Sequence, residues 1–306
     1  MAATTLFAVT AADAAVTVGG GRTDGIPNYV RDGNGLALQL CTDAFACEPA
    51  VAGEVGAYFE AEAVAGPLRA SWSIEGGFLE DAAGNPTTRV AVANVASFDA
   101  RGLVPSRRYT IRGPWGTHRC LSDVRGRLDC LVERGGEAGG PLRTGPVKSF
   151  LVGRFAPNGF ISGLEATQRV IGSPSGFNRV TFTGPGVNAR TNLFTLSGQL
   201  RASTPMGLLS HTGMRLGSRS GARPMTKVVR YRNVGTAAAR VQVRKTGQRV
   251  AFRVDNNCRQ VAAGRTCAIR VTFKRTRHDK AAALRITDNT MAPARTVRLR
   301  GIAARR

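Results

Sequence analysis

Between Thr226 and Ala303, apolar and polar residues alternate with a period of two, stretch after stretch. Cys267, Ile269, Val271 and Phe273 fall on one side, and Ala268, Arg270, Thr272 and Lys274 on the other. Leu284 and Ile286 alternate with Arg285 and Thr287, Val297 and Leu299 with Arg298 and Arg300, and Val229 and Tyr231 with Arg230 and Arg232. Successive side chains of a strand point to opposite faces, so this pattern suits half-buried β-strands. It predicts a small β-sandwich of five to seven short strands, with Val, Ile, Leu and Phe inside and arginines outside. Asn233-Val234-Gly235 supplies a turn between the first two strands, and Ala262-Ala263-Gly264 a turn ahead of Cys267. A Cys258–Cys267 bond would close a loop of about ten residues, stabilising by roughly 2–3 kcal/mol in the chain-entropy picture.

Upstream, strand-like runs alternate with turn chemistry. The runs are Leu36–Cys41, Val55–Ala63, Leu68–Ile74, Thr88–Ala93, Arg108–Arg112, Phe150–Val152, Arg179–Phe182 and Leu193–Leu200. Asp32-Gly33-Asn34-Gly35, Gly84-Asn85-Pro86 and Asn158-Gly159 are the turns. No helical period intervenes, which predicts an all-β sandwich over residues 26–202. Residues 133–147 read as a loop. Ser203–Met225, rich in Gly, Ser, Arg and Pro, reads as the linker or leading edge of a second domain over 203–306.

Charge changes at the same place. Residues 1–199 hold 18 Lys+Arg against 17 Asp+Glu, and residues 200–306 hold 25 against 3, a net of +22. A GC-rich genome explains arginine in place of lysine, but not a basic domain beside a neutral one. Arg230, Arg232, Arg240, Arg244, Arg270, Arg298 and Arg300 are therefore expected to form a basic surface for polyanions. An anionic envelope polymer, an acidic glycan or extracellular DNA would suit it, since guanidinium binds phosphate and carboxylate bidentately. The competing expectation is a solvated surface with no ligand.

Six cysteines fall as three close pairs, Cys41/Cys47, Cys120/Cys130 and Cys258/Cys267. None has C-x-x-C spacing, and His118, His211 and His278 are scattered, so local disulfides are expected in preference to metal or free thiols. Disulfides point to an oxidising compartment, extracellular or in the cell envelope. Within residues 1–15, Leu6–Ala15 is weakly apolar, and Ala12-Asp13-Ala14 resembles a signal-peptidase site, although no basic residue precedes it. We expect a signal peptide with a truncated or misassigned start. No run of ~18 apolar residues suggests a membrane span.

Tyr231-Arg-Asn-Val-Gly-Thr-Ala237, Asp255-Asn-Asn-Cys258, Val261-Ala-Ala-Gly-Arg-Thr-Cys-Ala-Ile-Arg-Val-Thr-Phe273 and the closing Ile286-Thr-Asp-Asn289 follow one another in order. Over residues 205–303 the chain resembles the choice-of-anchor D domain, related to the Hydin-like ASH group. Ala263 and Arg275 stand where that pattern usually has proline. The resemblance implies an immunoglobulin-like module of extracellular or envelope proteins and brings no catalytic residues. Tyr29–Leu36, Leu40-Cys41, Gly172–Gly176 and Leu193–Gly198 are similar, more loosely, to an uncharacterised secreted bacterial β module. The expected architecture is thus all-β, two β-sandwich domains, the C-terminal one immunoglobulin-like.

No nucleophile elbow, Walker loop, H-E-x-x-H or EF-hand loop is present. Gly172-Ser173-Pro174-Ser175-Gly176 reads as a turn, and Trp72, Trp115 and Tyr58 read as core more readily than as a sugar platform. Glu60/Glu62 and Glu80/Asp81 are the acid pairs a glycoside hydrolase would need. The expectation is a non-enzymatic binding or structural module with no cofactor. A secreted carbohydrate-active hydrolase and an intracellular nucleic-acid-binding protein are the alternatives.

Overall fold

The computed structural model describes residues 16–21, 26–40, 56–80, 83, 86–136, 141–163, 167–217, 224–247, 249–274, 276–289 and 295–303. The expected leader, Cys41, Cys47 and Asp81 lie outside the described residues. Among the described residues there is no α-helix, and so no helix long and apolar enough to cross a membrane. The chain divides into two compact units. The first is Met1–Gly33, Leu38–Phe155 and Ser162–Gln199, and the second Asn34–Ala37, Ala156–Ile161 and Leu200–Arg306.

In chain order the earlier strands are β1 (Thr17–Gly21), β2 (Pro27–Arg31), β3 (Ala37–Gln39), β4 (Gly56–Ala65) and β5 (Leu68–Glu80). They continue with β6 (Pro86–Ala100), β7 (Arg108–Gly113), β8 (Gly116–Leu121), β9 (Leu128–Gly135) and β10 (Val152–Gly153). Then come β11 (Gln168–Ile171), β12 (Val180–Gly184), β13 (Val187–Thr191), β14 (Leu193–Ser197) and β15 (Gln199–Leu200). They form a seven-stranded sheet, β10-β11-β14-β4-β5-β6-β9, and two four-stranded sheets, β13-β12-β7-β8 and β1-β2-β3-β15.

The first two sheets of this unit face each other across an aromatic core. Trp72 of β5 meets Phe98 of β6 and Trp115, with ring centroids 5.6 and 5.4 Å apart. Phe59 of β4 packs against Phe150 at 5.2 Å, and Tyr109 of β7 against Phe182 of β12 at 5.4 Å. Tyr58, Trp72 and Trp115 are all buried, as expected of core residues. Each buried polar tip finds a partner: Trp115 Nε1–H donates to the Ser149 carbonyl at 2.7 Å, and the Tyr58 hydroxyl to Pro27 at 2.5 Å.

Residues 133–147 are not simply a loop, as the sequence suggested. β9 runs on to Gly135, and Leu142–Thr144 form a 3₁₀ turn. The buried Asn94 amide holds the segment down, donating to the Leu142 and Val147 carbonyls and accepting from the Val147 N–H. One side chain thus supplies what a ladder would have supplied to an otherwise irregular backbone.

The second unit contains β16 (Gly207–Leu209), β17 (Gly213–Leu216), β18 (Met225–Asn233), β19 (Ala239–Gly247) and β20 (Phe252–Asn256). It ends with β21 (Gln260–Val261), β22 (Thr266–Phe273), β23 (Lys280–Asp288) and β24 (Arg295–Gly301). The described part of Ser203–Met225 therefore contains two strands, making it a leading edge of this unit and not a bare linker.

Its sheets run β16-β18-β22-β20 and β17-β24-β23-β19-β21, with β17 parallel to β24. Named in immunoglobulin fashion, β16, β18, β22 and β20 are A, B, E and D, while β17, β24, β23 and β19 are A′, G, F and C. The C-terminal unit is immunoglobulin-like by strand order. Val229, Tyr231, Ile269, Val271, Phe273, Leu284, Ile286, Val297 and Leu299 fill its core, on the parity the alternation predicted.

Candidate functional site

The motifs of the second unit serve its architecture. Asn233 is fully buried, and its side chain makes four hydrogen bonds. Its Oδ1 accepts from the Met206 and Gly235 N–H groups, and its Nδ2 donates to the Ala237 and Val261 carbonyls. The Asn-x-Gly triplet is therefore more than a turn; it ties three segments together. A Cβ on Gly235 would meet the Met206 nitrogen at 2.3 Å, so only glycine admits that approach. Gly264 adopts φ +72°, which the turn before Cys267 requires.

Asp288 and Asn289 close the opposite strand. The Tyr231 hydroxyl of β18 donates to Asp288 Oδ2 at 2.6 Å, and Arg295 Nη2 lies 3.2 Å from the same oxygen. Burial, and then the Asp288 charge and hydrogen bond, push the Tyr231 hydroxyl well above the ordinary phenol range. In antibody domains a disulfide joins strands B and F; here those strands are joined by tyrosine and aspartate. Asn289 Oδ1 accepts from the Arg240 N–H at 2.7 Å.

The disulfide of this unit, Cys258–Cys267, is local, with Cα atoms 5.3 Å apart, and ties the chain leaving β20 to β22. Cys120–Cys130 links β8 to β9, edge strands of the two facing sheets of the first unit, with Cα atoms 6.1 Å apart. Both pairings match the sequential expectation. The two bonds fit an oxidising, extracytoplasmic setting.

The seven arginines singled out by the sequence do not lie on one surface. Arg230, Arg232 and Arg270 stand on the outer face of the β16-β18-β22-β20 sheet; Arg240, Arg244, Arg298 and Arg300 stand on the outer face of the other. The physical reason is the sandwich itself: alternation places arginines outside in every strand, but two sheets have two outsides.

The two faces differ in kind. On the first, Arg270 sits opposite Asp255, Arg253 pairs with Asp255 at 3.0 Å, and Arg232 donates to Asn158 Oδ1 at 3.0 Å. On the second, Arg215 and Arg285 join the four named arginines, and all six are exposed. Arg215 is registered against Arg300, and Arg244 against Arg285.

Residues 200–306 contain three acids, and two are engaged away from this second face. Asp288 is buried and Asp255 belongs to the other sheet. Asp279 alone approaches, 3.9 Å from Arg300 Nη2, while its Oδ1 accepts from the Ala303 N–H. Beside Arg298 and Arg300 lies a shallow depression floored by Ala281, Ala282 and Leu299. Sequence reasoning passed over Arg215, which stands in the Gly/Ser/Arg-rich stretch, and Arg285, whose outward parity was visible.

Glu60 and Glu62 lie along β4 on the outer face of the seven-stranded sheet, with the Ser197 hydroxyl donating to Glu60 Oε2 at 2.7 Å. The Glu80 side chain is outside the described residues, as is Asp81. Ser173 lies in a tight turn: its hydroxyl donates to the Pro114 carbonyl at 2.9 Å, and its own carbonyl accepts from the Gly176 N–H. Among the described residues no group of three His, Cys, Asp or Glu could hold a metal ion.

No family model matches the chain. No curated protein matches it either. Among solved structures, a protein of unknown function from Porphyromonas gingivalis W83 is similar at 13% identity and a TM-score of 0.29, over 78% of this chain and 100% of that one. The secreted serine protease VesC of Vibrio cholerae is similar at 10% identity and 0.29, over 95% and 68%. The VesB protease of Vibrio cholerae is similar at 10% identity and 0.28, over 95% of each chain. Likenesses this loose carry no argument about activity.

Proposed function

We propose that the protein is a non-catalytic, secreted or envelope-associated β-sandwich module that holds anionic polymers through the outer face of the β17-β24-β23-β19-β21 sheet. The resemblance of residues 205–303 to the choice-of-anchor D pattern supports the module reading, as does the immunoglobulin strand order. One observation carries the binding reading: six exposed arginines share that face, two cross-strand pairs set guanidinium against guanidinium, and Asp279 at the edge is the one acid near them. Like charges placed opposite one another cost a few tenths of a kcal/mol to about 1 kcal/mol per pair. An acid in either strand would relieve that cost. An anionic chain laid across the face does the same work from outside.

Adjacent strands are about 4.8 Å apart, so the four strands bearing these arginines span about 14 Å, wide enough for one extended polymer chain. Chromatography on heparin and on DNA tests the reading. The protein should elute well after a neutral control of similar size at low salt and lose retention at moderate salt. Replacing Arg244, Arg298 and Arg300 with glutamine should move elution sharply earlier. Elution together with the control would end the proposal.

A further inference from the structure

The near-zero net charge of residues 1–199 hides an uneven distribution among the described residues. β7, β8, β12 and β13, which make the sheet facing the seven-stranded one, contain no acidic residue at all. Their outer face carries Arg108, Arg112, Arg119 and Arg190, all exposed, with Arg179 just ahead of β12 on the same parity. Among the described residues, Glu60, Glu62, Glu75 and Glu133 stand on the outer face of the opposing sheet, the first three on its inner strands β4 and β5 and Glu133 on its edge strand β9. Arg69, Arg89 and Arg169 lie toward the margins of that sheet, and Arg127 bridges Asp99 and Asp129 at one end.

The basic face also has built features. Arg112 and Arg179 both lie over the ring of Phe177, at 4.1 and 4.6 Å from its centroid. Stacking on an aromatic face fixes a guanidinium plane while its N–H edge stays open to an oxyanion. Arg119 is registered opposite Thr110, and Arg112 opposite Thr117, so Arg108, Arg119 and Arg112 zigzag along two strands with diagonal spacings of roughly 7 Å. Thr181, registered between Arg112 and Arg190, and Thr183, between Thr110 and Asn188, add a lane of hydroxyl and amide groups.

We propose that this face is a second, separate binding site, for a polysaccharide bearing sulfate or phosphate groups. The charge selects a polyanion. The Phe177 ring is already covered by two guanidiniums, so it offers no platform for a nucleobase, and the threonine lane suits a polyhydroxylated chain. The site lies on a different sheet from the one argued above and stands or falls independently of it.

The test uses the full chain and a size-defined heparin oligosaccharide, with binding measured by calorimetry over a series of salt concentrations. The protein with Arg244, Arg298 and Arg300 replaced by glutamine should keep measurable heparin binding. Adding Arg108→Gln, Arg119→Gln and Arg190→Gln should then weaken it at least tenfold and flatten the log–log salt slope by about 2, at roughly 0.7 per lost contact. Phe177→Leu, which leaves the charge untouched, should weaken binding severalfold with the slope preserved. Tryptophan fluorescence, which reports the first unit through Trp72 and Trp115, confirms folding of each variant. The inference is overturned if the unit-two variant binds no heparin, or if the unit-one arginines make no difference. It is equally overturned if a single-stranded oligonucleotide of equal charge binds more tightly than heparin.

Discussion

The two sandwiches of this chain close their sheets by different means. The first unit uses rings: Trp72, Trp115, Phe59, Phe98 and Phe150 interlock, and the polar groups among them are satisfied one at a time. The second relies more on aliphatic side chains around Tyr231 and the packed Phe252–Phe273 pair, and spans its two sheets with Tyr231, Asp288 and Arg295 in place of a disulfide. Large rings fill volume by themselves and tolerate irregular segments such as residues 141–147. A core made mostly of Val, Ile and Leu gains specificity from a few polar clamps whose geometry admits one register. The charged surfaces differ too: among the described residues the first unit keeps acids off its β13-β12-β7-β8 strands and places most of them on the opposing sheet, while the second is basic on both faces, one sharing Asp255 and the other met only at its edge by Asp279.

Trp72→Ala should break the comparison most severely. Removing a fully buried indole costs about 3–5 kcal/mol, and the loss should fall on the first unit. Both tryptophans lie there, so fluorescence-monitored unfolding in urea reports that unit directly, while calorimetry should show the transition of the second unit in place. Next is Asp288→Ala, which strands a buried guanidinium and should cost about 3 kcal/mol, confined to the second unit. Tyr231→Phe removes one hydrogen bond to the same carboxylate and should cost less, about 1–2 kcal/mol.

A smaller effect separates the units by pH. Burial lowers the pKa of His118, which packs on Phe98 at 4.9 Å, so the folded first unit favours the neutral ring. The stability that His118 contributes is full above the unfolded value near 6.5 and is lost as pH falls below it. Tryptophan-monitored midpoints should therefore drop more steeply between pH 7 and pH 5 in the native protein than in His118→Gln. Least of all, Arg127→Ala removes two exposed ion pairs of 3.5 Å and should shift stability by no more than about 0.5 kcal/mol.

Alternation made the second unit legible, since Ile269, Val271, Leu284, Ile286, Val297 and Leu299 fall on the buried parity. The local disulfides were legible from pairing distance. Partition of the arginines between sheets was not, because parity says in or out and never which outside. Asn94 and Asp32 were invisible for another reason. Asn94 acts on Val147 and Asp32 on the Phe150 N–H, partners so far along the chain that no local pattern announces them. The basic face of the first unit was masked by totals: net charge over a domain averages its two surfaces together.

Glutamine substitutions on the two outer faces of the second unit test the central claim most directly. Arg244, Arg298 and Arg300 lie on the face relieved only by Asp279, and Arg230, Arg253 and Arg270 on the face shared with Asp255. Both triple variants remove three charges, so any difference between them reports arrangement and not total charge. With heparin affinity measured as a function of salt, the first triple should lower affinity at least tenfold and flatten the slope by about 2, while the second changes each only slightly. Equal losses from the two triples would show that net charge alone attracts polyanions, and would contradict the assignment of a binding face.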